Sequence, residues 1–375
     1  MPGLLPDVDP DGLLEYSVVY TDRAVNHMSG VFQSVMIDIS STLKSVYAAD
    51  AVVVVPGSGT FGMEAVARQL AADKNCLIIR NGWFSYRWSQ ILEMGDIAKN
   101  STVLKARRIG GAAQDPFAPA PIEEVVSAIE SDKPDLVFAP HVETSSGMLL
   151  PDDYLKKIAD AVHAYGGLFA LDCIASGTIW VDMKEIGVDV LLSAPQKGWS
   201  GSPCCGLVML NDAAKDRVMA TTSSSFACDL KKWLEIMQAY ENGAHAYHAT
   251  MPTDALKTFR DSMRETESLG FKNAKAAQQE LGDRVRKLLA DKGIKSVAAP
   301  GFEAPGVVVC YTTDPDIKSG GKFAAQGLQI AAGVPLQCDE PDDFQTFRLG
   351  LFGLDKLRNI DRTVATLDKA LDRIE

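Results

Sequence analysis

Ser193-Ala194-Pro195-Gln196-Lys197-Gly198-Trp199-Ser200-Gly201 decides how the rest of the chain is read. Two apolar, strand-like runs flank it, Val188-Asp189-Val190-Leu191-Leu192 before and Cys205-Gly206-Leu207-Val208-Met209-Leu210 after. The loop between them therefore sets Lys197 at the carboxyl end of the first run. An ammonium is costly to bury unless a partner pairs with it or its charge is removed. A Schiff base to an aldehyde removes the charge and puts the nitrogen to use. A solvated loop lysine is the plain alternative.

Outward from this loop, strand-like and helix-like pieces alternate. Met28, Val31, Phe32, Val35, Met36, Ile39, Leu43 and Val46 follow a helical period, and Ala51-Val52-Val53-Val54-Val55 reads as a strand covered on both sides. Further strands are expected at 77–79, 102–106, 136–139 and 168–171, with helices at 62–72, 85–95, 122–131 and 153–165 between them. Such alternation argues a parallel-rich sheet with helices on both faces. Beyond about 215 the pattern changes to long polar helices. Strands at 306–311 and 347–351 and a last helix at 357–374 then suggest a smaller α+β unit. The expected organisation is an arm at 1–20, a large domain at 21–255 and a small C-terminal domain at 256–375.

Composition excludes several classes. The net charge of −12, without any Lys/Arg cluster, argues against nucleic acid. Seven cysteines at irregular spacing, with no C-x-x-C pair, suit a reducing compartment and argue against a metal site. No signal peptide and no apolar run of membrane-spanning length is visible, so the expected place is the cytoplasm, away from membranes.

The chemistry-bearing residues fall at strand ends, where open α/β sheets bind ligands. Gly57-Ser58-Gly59-Thr60 follows a strand and opens a helix, which makes an anion site of Ser58, Gly59 and Thr60; an ordinary strand-to-helix turn has the same look. It is neither a Walker loop nor a full G-x-G-x-x-G. Asp172 closes an apolar strand, so it needs a partner such as a protonated ring nitrogen, an arginine or a helix N-terminus. Trp83 offers a flat ring, or a core residue. Arg348 among apolar neighbours fits capture of a carboxylate, or a structural ion pair. As one set, these are what a pyridoxal phosphate enzyme needs: phosphate on 58–60, ring against Trp83, ring N–H on Asp172, aldehyde carbon on Lys197. Asp172 keeps the ring electron-accepting, and Lys197 moves the substrate Cα proton.

Over residues 45–370 the chain resembles the class V pyridoxal phosphate aminotransferases, most closely the alanine–glyoxylate and serine–pyruvate branch. The pieces that match are Gly57-Ser58-Gly59-Thr60 with Glu64-Ala65, Trp83, His141-x-Glu143-Thr144-Ser145-Ser146-Gly147, Leu171-Asp172, Ser193-x-x-Gln196-Lys197, Tyr247-His248-x-Thr250 and Arg348-x-Gly350-Leu351. The resemblance implies the fold-type I architecture, with a mostly parallel seven-stranded sheet, and a homodimer with active sites at the subunit interface. It further implies that Thr144 touches the ring substituents, that Gln196 reaches the phosphate or a neighbouring oxygen, that Tyr247 and Thr250 reach the other subunit's cofactor phosphate, and that Arg348 binds the substrate α-carboxylate. Three positions depart from the family pattern: the segment from Met1 to Thr21 lacks the usual Gly-Pro start, Thr60 stands where histidine is common, and Val142 stands where Asn or Gly is common.

The activity expected is transfer of an amino group from a small L-amino acid, such as alanine or serine, to glyoxylate or pyruvate by a ping-pong mechanism. A 2-aminoethylphosphonate–pyruvate transaminase is the alternative, with Arg348, Arg23 and Arg87 as the cations at hand. A lyase or desulfurase is disfavoured, because Gln196 stands before the lysine where a desulfurase has histidine, and Cys338 is a weak candidate for its nucleophilic loop thiol.

Overall fold

The computed structural model describes residues 13–374, so most of the expected 1–20 arm lies outside the described residues. Seven strands form the central sheet: β1 (Ala51–Pro56), β2 (Asn75–Arg80), β3 (Asn100–Lys105), β4 (Leu136–Pro140), β5 (Leu168–Asp172), β6 (Val190–Ser193) and β7 (Cys205–Leu210). Their order is β1-β7-β6-β5-β4-β2-β3. All neighbours are parallel except β7, which runs antiparallel to both β1 and β6. Its direction follows from the short 194–204 loop, which holds no helix; a parallel return would need a crossover of a dozen or more residues. Val52, Val53, Val54 and Val55 are each at most 1% exposed. Covering both faces of such a strand contributes roughly 1.5–3 kcal/mol per side chain.

Helices α1 (Gly30–Tyr47), α2 (Gly59–Leu70), α3 (Trp83–Met94), α4 (Ile122–Asp132) and α5 (Asp152–His163) separate or precede the early strands. In α1, Ser29 caps the start by accepting from Phe32 N, and Phe32, Val35, Met36, Ile39 and Leu43 form one buried stripe at helical spacing. Ala48, in the left-handed region at φ 54°, ends the helix and turns the chain into β1. After β7 come α6 (Leu230–Glu241), α7 (Thr253–Leu269) and α8 (Phe271–Asp291). The expected boundary at 255/256 falls inside α7, whose Leu256, Phe259 and Met263 bury in the same core as the large sheet.

A second sheet is antiparallel, with β8 (Val307–Tyr311), β9 (Ala331–Ala332) and β10 (Thr346–Gly350) in the order β8-β10-β9. Leu281, Val285 and Leu289 of α8 and Leu367, Leu371 and Ile374 of the last helix, α9 (Ile360–Ile374), pack in one cluster with Val308, Phe347 and Leu349 of this sheet. The chain thus has the fold-type I arrangement, a mostly parallel sheet with a C-terminal α+β part.

Candidate active site

The loop after β6 is held from beneath by aromatic packing. Trp199 is fully buried, with its ring 4.7 Å from that of Trp180 and also against Tyr47, Phe259 and Phe271. Tyr47 also donates to Ser193 Oγ at 3.3 Å. Gly198 passes so close to Gly177 O that a Cβ there would lie 2.0 Å away, so no larger residue fits beside the lysine. With its neighbours pinned, Lys197 projects into a cavity of about 160 Å³. Burial lowers the pKa of its amine, and the positive charge of Arg348 lowers it further. A larger share of free amine is what a nucleophilic lysine requires.

Ser58, Gly59, Thr60, Thr144, Asp172, Gln196 and Lys197 all line this one cavity. Asp172 ends β5 and is 8% exposed. Burial pushes its carboxyl up to about 7; the N–H of Ile174, donating to Oδ1 at 2.9 Å, opposes this, the charge of Glu143 adds to it, and that of Arg87 opposes it. The phosphate loop and the lysine loop are tied to the same strand. Gly57 N donates to Cys204 O at 2.9 Å, and a Cβ at Gly206 of β7 would meet Gly62 N and Ser58 O at 2.8 Å.

Trp83 does not line the cavity; its neighbour Phe84 does. Both residues open α3, but successive helical residues point about 100° apart, and it is the second that turns inward. Trp83 packs on Tyr86 instead, while its backbone N–H donates to Ser145 Oγ at 2.8 Å. The aromatic residue of the site is therefore Phe84, one position beyond the one expected. Arg87, one turn later on the same face, also lines the cavity. The spacing Phe84-x-x-Arg87 was the signal available for finding both.

The start of α3 is fastened by Glu143, which is fully buried. Its carboxylate accepts from Phe84 N, Ser85 N, Ser145 N, Ser85 Oγ and Ser145 Oγ, at 2.7–3.2 Å. A carboxylate at a helix N-terminus satisfies orphan N–H groups and meets the positive end of the helix dipole. His141 is also buried, close to Ser176 Oγ at 2.7 Å, and burial drops its pKa to about 3, with the Lys275 charge adding, so it is neutral there.

Arg348 comes from β10. Its Nε donates to Ala332 O at 2.8 Å, and its guanidinium lies 5.6 Å from the Phe84 ring centre. Tyr247 and Thr250 are not brought to this cavity. They lie exposed on the surface, joined to each other by a 3.0 Å hydrogen bond. Cys338 is buried, and burial pushes its thiol up to about 12, with Glu143 and Glu340 adding; it has none of the thiolate character of a desulfurase nucleophile.

The cavity fits a flat aromatic aldehyde that carries a phosphate. Gln196 Oε1 is buried there without a partner, and the start of α2 at Ser58 has no side-chain cap on its first-turn N–H groups. The buried carboxyl of Asp172, held near neutrality, would be relieved by a cationic N–H. Among the described residues no cluster of His, Cys, Asp and Glu could hold a metal ion, and no helix is long and apolar enough to cross a membrane.

Known proteins point the same way. The alanine–glyoxylate aminotransferase of Rattus norvegicus is 26% identical over 370 residues, covering 93% of this chain and 82% of that protein. The 2-aminoethylphosphonate–pyruvate transaminase 2 of Paraburkholderia xenovorans is 26% identical over 360 residues, covering 94% and 90%. The crystal structure of an alanine–glyoxylate aminotransferase from Nostoc sp. superposes with a TM-score of 0.77 at 20% identity, over 92% of this chain and 89% of that one, which shows a shared fold. The family model Aminotransferase class-V matches residues 13–341. The chain therefore belongs to the class V aminotransferases and is a pyridoxal-phosphate-dependent transaminase.

Proposed function

We propose that this enzyme transfers an amino group from a small L-amino acid, alanine or serine or one like them, to a 2-oxo acid such as glyoxylate or pyruvate. The observation that carries this reading is the position of Arg348, which does not itself line the cavity but whose guanidinium lies 5.6 Å from the centre of the Phe84 ring that does. A guanidinium at the edge of the lysine's cavity suits a substrate whose α-carboxylate sits next to the carbon that reacts.

When bound, pyridoxal phosphate supplies an aldehyde carbon and an electron-accepting ring. Lys197 Nζ would hold that carbon and, once displaced by the amino donor, take the proton from the substrate Cα and return it to the next carbon. Asp172 would accept the ring N–H, and its buried carboxylate, costly alone, becomes favourable opposite that positive charge. Ser58, Gly59 and Thr60 would bind the phosphate, Thr144 and Gln196 the polar substituents, and Phe84 the ring face. Arg348 would orient the substrate by its carboxylate. The two substrates would use the same site in turn, the donor's product leaving before the acceptor enters.

The enzyme would act as a cytoplasmic homodimer. Tyr247 and Thr250 face outward rather than into their own cavity, and Phe61, directly after the phosphate loop, is 49% exposed. Both facts support a partner subunit covering this side, with Tyr247 and Thr250 reaching its cofactor phosphate. The 2-aminoethylphosphonate reading is kept because that transaminase is related over as much of the chain.

Lys197→Ala should abolish the visible absorbance of the purified protein; an unchanged spectrum would sink the assignment. A screen of glyoxylate and pyruvate against alanine, serine, glycine, aspartate and 2-aminoethylphosphonate, read by mass spectrometry, separates the two donor readings. Exclusive use of the phosphonate would overturn the carboxylate role of Arg348.

A further inference from the structure

We propose that Arg87 is the counter-cation of the cofactor phosphate, completing the anion site at the start of α2 from the neighbouring helix. The inference rests on the reading that this cavity takes pyridoxal phosphate, and it adds a residue that neither the sequence motifs nor that reading supplies.

Charge balance raises the question. Among the described residues, three charged side chains line the cavity: Asp172, Lys197 and Arg87. A phosphate monoester brings a charge of −1.5 to −2 near pH 7, given a second pKa of about 6. The Lys197 nitrogen is committed to the aldehyde carbon, and Asp172 adds a negative charge of its own. Helix N–H groups supply only partial positive charge, equivalent to about half an elementary charge. Among the described residues, Arg87 is the one permanent cation lining the cavity that is left to meet the phosphate.

Geometry places it for the task. Arg87 Nη1 donates to Thr60 Oγ1 at 3.0 Å, which sets the guanidinium beside the second residue of α2. Its carbon lies 5.2 Å from the centre of the Phe84 ring, an arrangement that holds the planar group in one orientation. One N–H of five is spent on Thr60, so the fork keeps donors for phosphate oxygens. Thr60 is small enough to leave that approach open and polar enough to anchor it.

Arg87 has a competing role on the same page, because its charge also pulls down the pKa of Asp172. The two roles separate by comparing cofactors with and without the phosphate. Cofactor-free protein is titrated with pyridoxal phosphate and with pyridoxal, following quenching of tryptophan fluorescence, for wild type and Arg87→Gln. If Arg87 meets the phosphate, the variant loses about 10- to 100-fold in affinity for pyridoxal phosphate, the range for a charge-assisted hydrogen-bond pair. Its affinity for pyridoxal stays within about threefold. Inorganic phosphate should also slow uptake of pyridoxal phosphate by wild type and have much less effect on the variant. Equal weakening of both compounds assigns Arg87 to Asp172 and the ring instead, and overturns the proposal, as does no change in either. Arg87→Met, which keeps the stem packed on Phe84, gives the same comparison should the glutamine variant fail to fold. A wild-type protein that takes up neither compound overturns the cofactor reading itself, and this assignment with it.

Discussion

Glu143→Gln is the perturbation whose size the structure sets most directly. Oε2 accepts from Ser85 N at 2.9 Å and Ser85 Oγ at 2.7 Å, while Oε1 accepts from Phe84 N, Ser145 N and Ser145 Oγ. An amide is least disruptive with its NH2 at the Oε2 position, where only the Ser85 groups are lost. The Ser85 hydroxyl has a second acceptor in Gly82 O at 3.0 Å, so its loss is small. Ser85 N is left buried and facing another donor, at about 1–3 kcal/mol. The remaining three bonds lose their ionic character, and the helix end loses its anion, for about 1–2 kcal/mol more. The sum is about 2–5 kcal/mol, which lowers the melting temperature of the cofactor-free protein, a chain of 375 residues, by roughly 3–6 °C. Because α3 carries Phe84 and Arg87 into the cavity, cofactor affinity should fall with it. Thermal unfolding followed by circular dichroism, together with a cofactor titration, measures both. A melting temperature within about 1 °C of wild type would refute the reasoning, since it would mean that these buried N–H groups do not depend on the carboxylate.

Three further outcomes are expected. Asp172 has a folded pKa of about 7 against 3.8 for the ordinary group, so the folded cofactor-free protein holds a proton that the unfolded chain has released. Stability must then fall as pH rises from about 4 to 7, by up to ~4 kcal/mol from this group, and Asp172→Asn should flatten that slope while cutting turnover strongly. Melting curves against pH that run parallel for the two proteins would count against it. Phe84→Leu should weaken cofactor binding about 10-fold and Trp83→Leu less than twofold, by fluorescence or absorbance titration; the reverse order would restore Trp83 to the ring. Arg348→Ala should raise KM for carboxylate substrates about 10- to 100-fold with cofactor affinity nearly unchanged, and a steady KM would leave the arginine holding only Ala332 O.

Much of the fold could be read from the chain because short apolar runs and turn residues mark strands buried on both faces. Ala51–Val55, Leu136–Ala139 and Leu168–Leu171 fall within β1, β4 and β5. Lys197 and Asp172 stood out for a related reason: a charge at the end of an apolar strand needs an explanation. Direction was harder, since Cys205–Leu210 is apolar whichever way it runs; only the length of the loop before it carries that information. Side-chain aim was harder still. Trp83 is the larger aromatic and drew the assignment, but one helical step separates it from Phe84, and the register of α3 is set by Glu143, far away in the chain. Arg87 is legible in the sequence only as a cation for a phosphonate donor, because its place beside Thr60 depends on the fold that brings the two together. Of the segment from Met1 to Thr21, expected to differ from the family pattern, residues 1–12 lie outside the described residues.

The antiparallel β7 has a mechanical consequence. The 57–60 loop, which would seat the phosphate, and the 194–204 loop, which carries Lys197, both meet the start of this one strand, the first through Cys204 O and Gly206, the second by running directly into it. Arg348 stands on a different frame, the second sheet. A movement of the second sheet would therefore reposition Arg348 without disturbing either loop, and a variant that slowed such a movement would alter substrate capture and product release while leaving cofactor affinity unchanged.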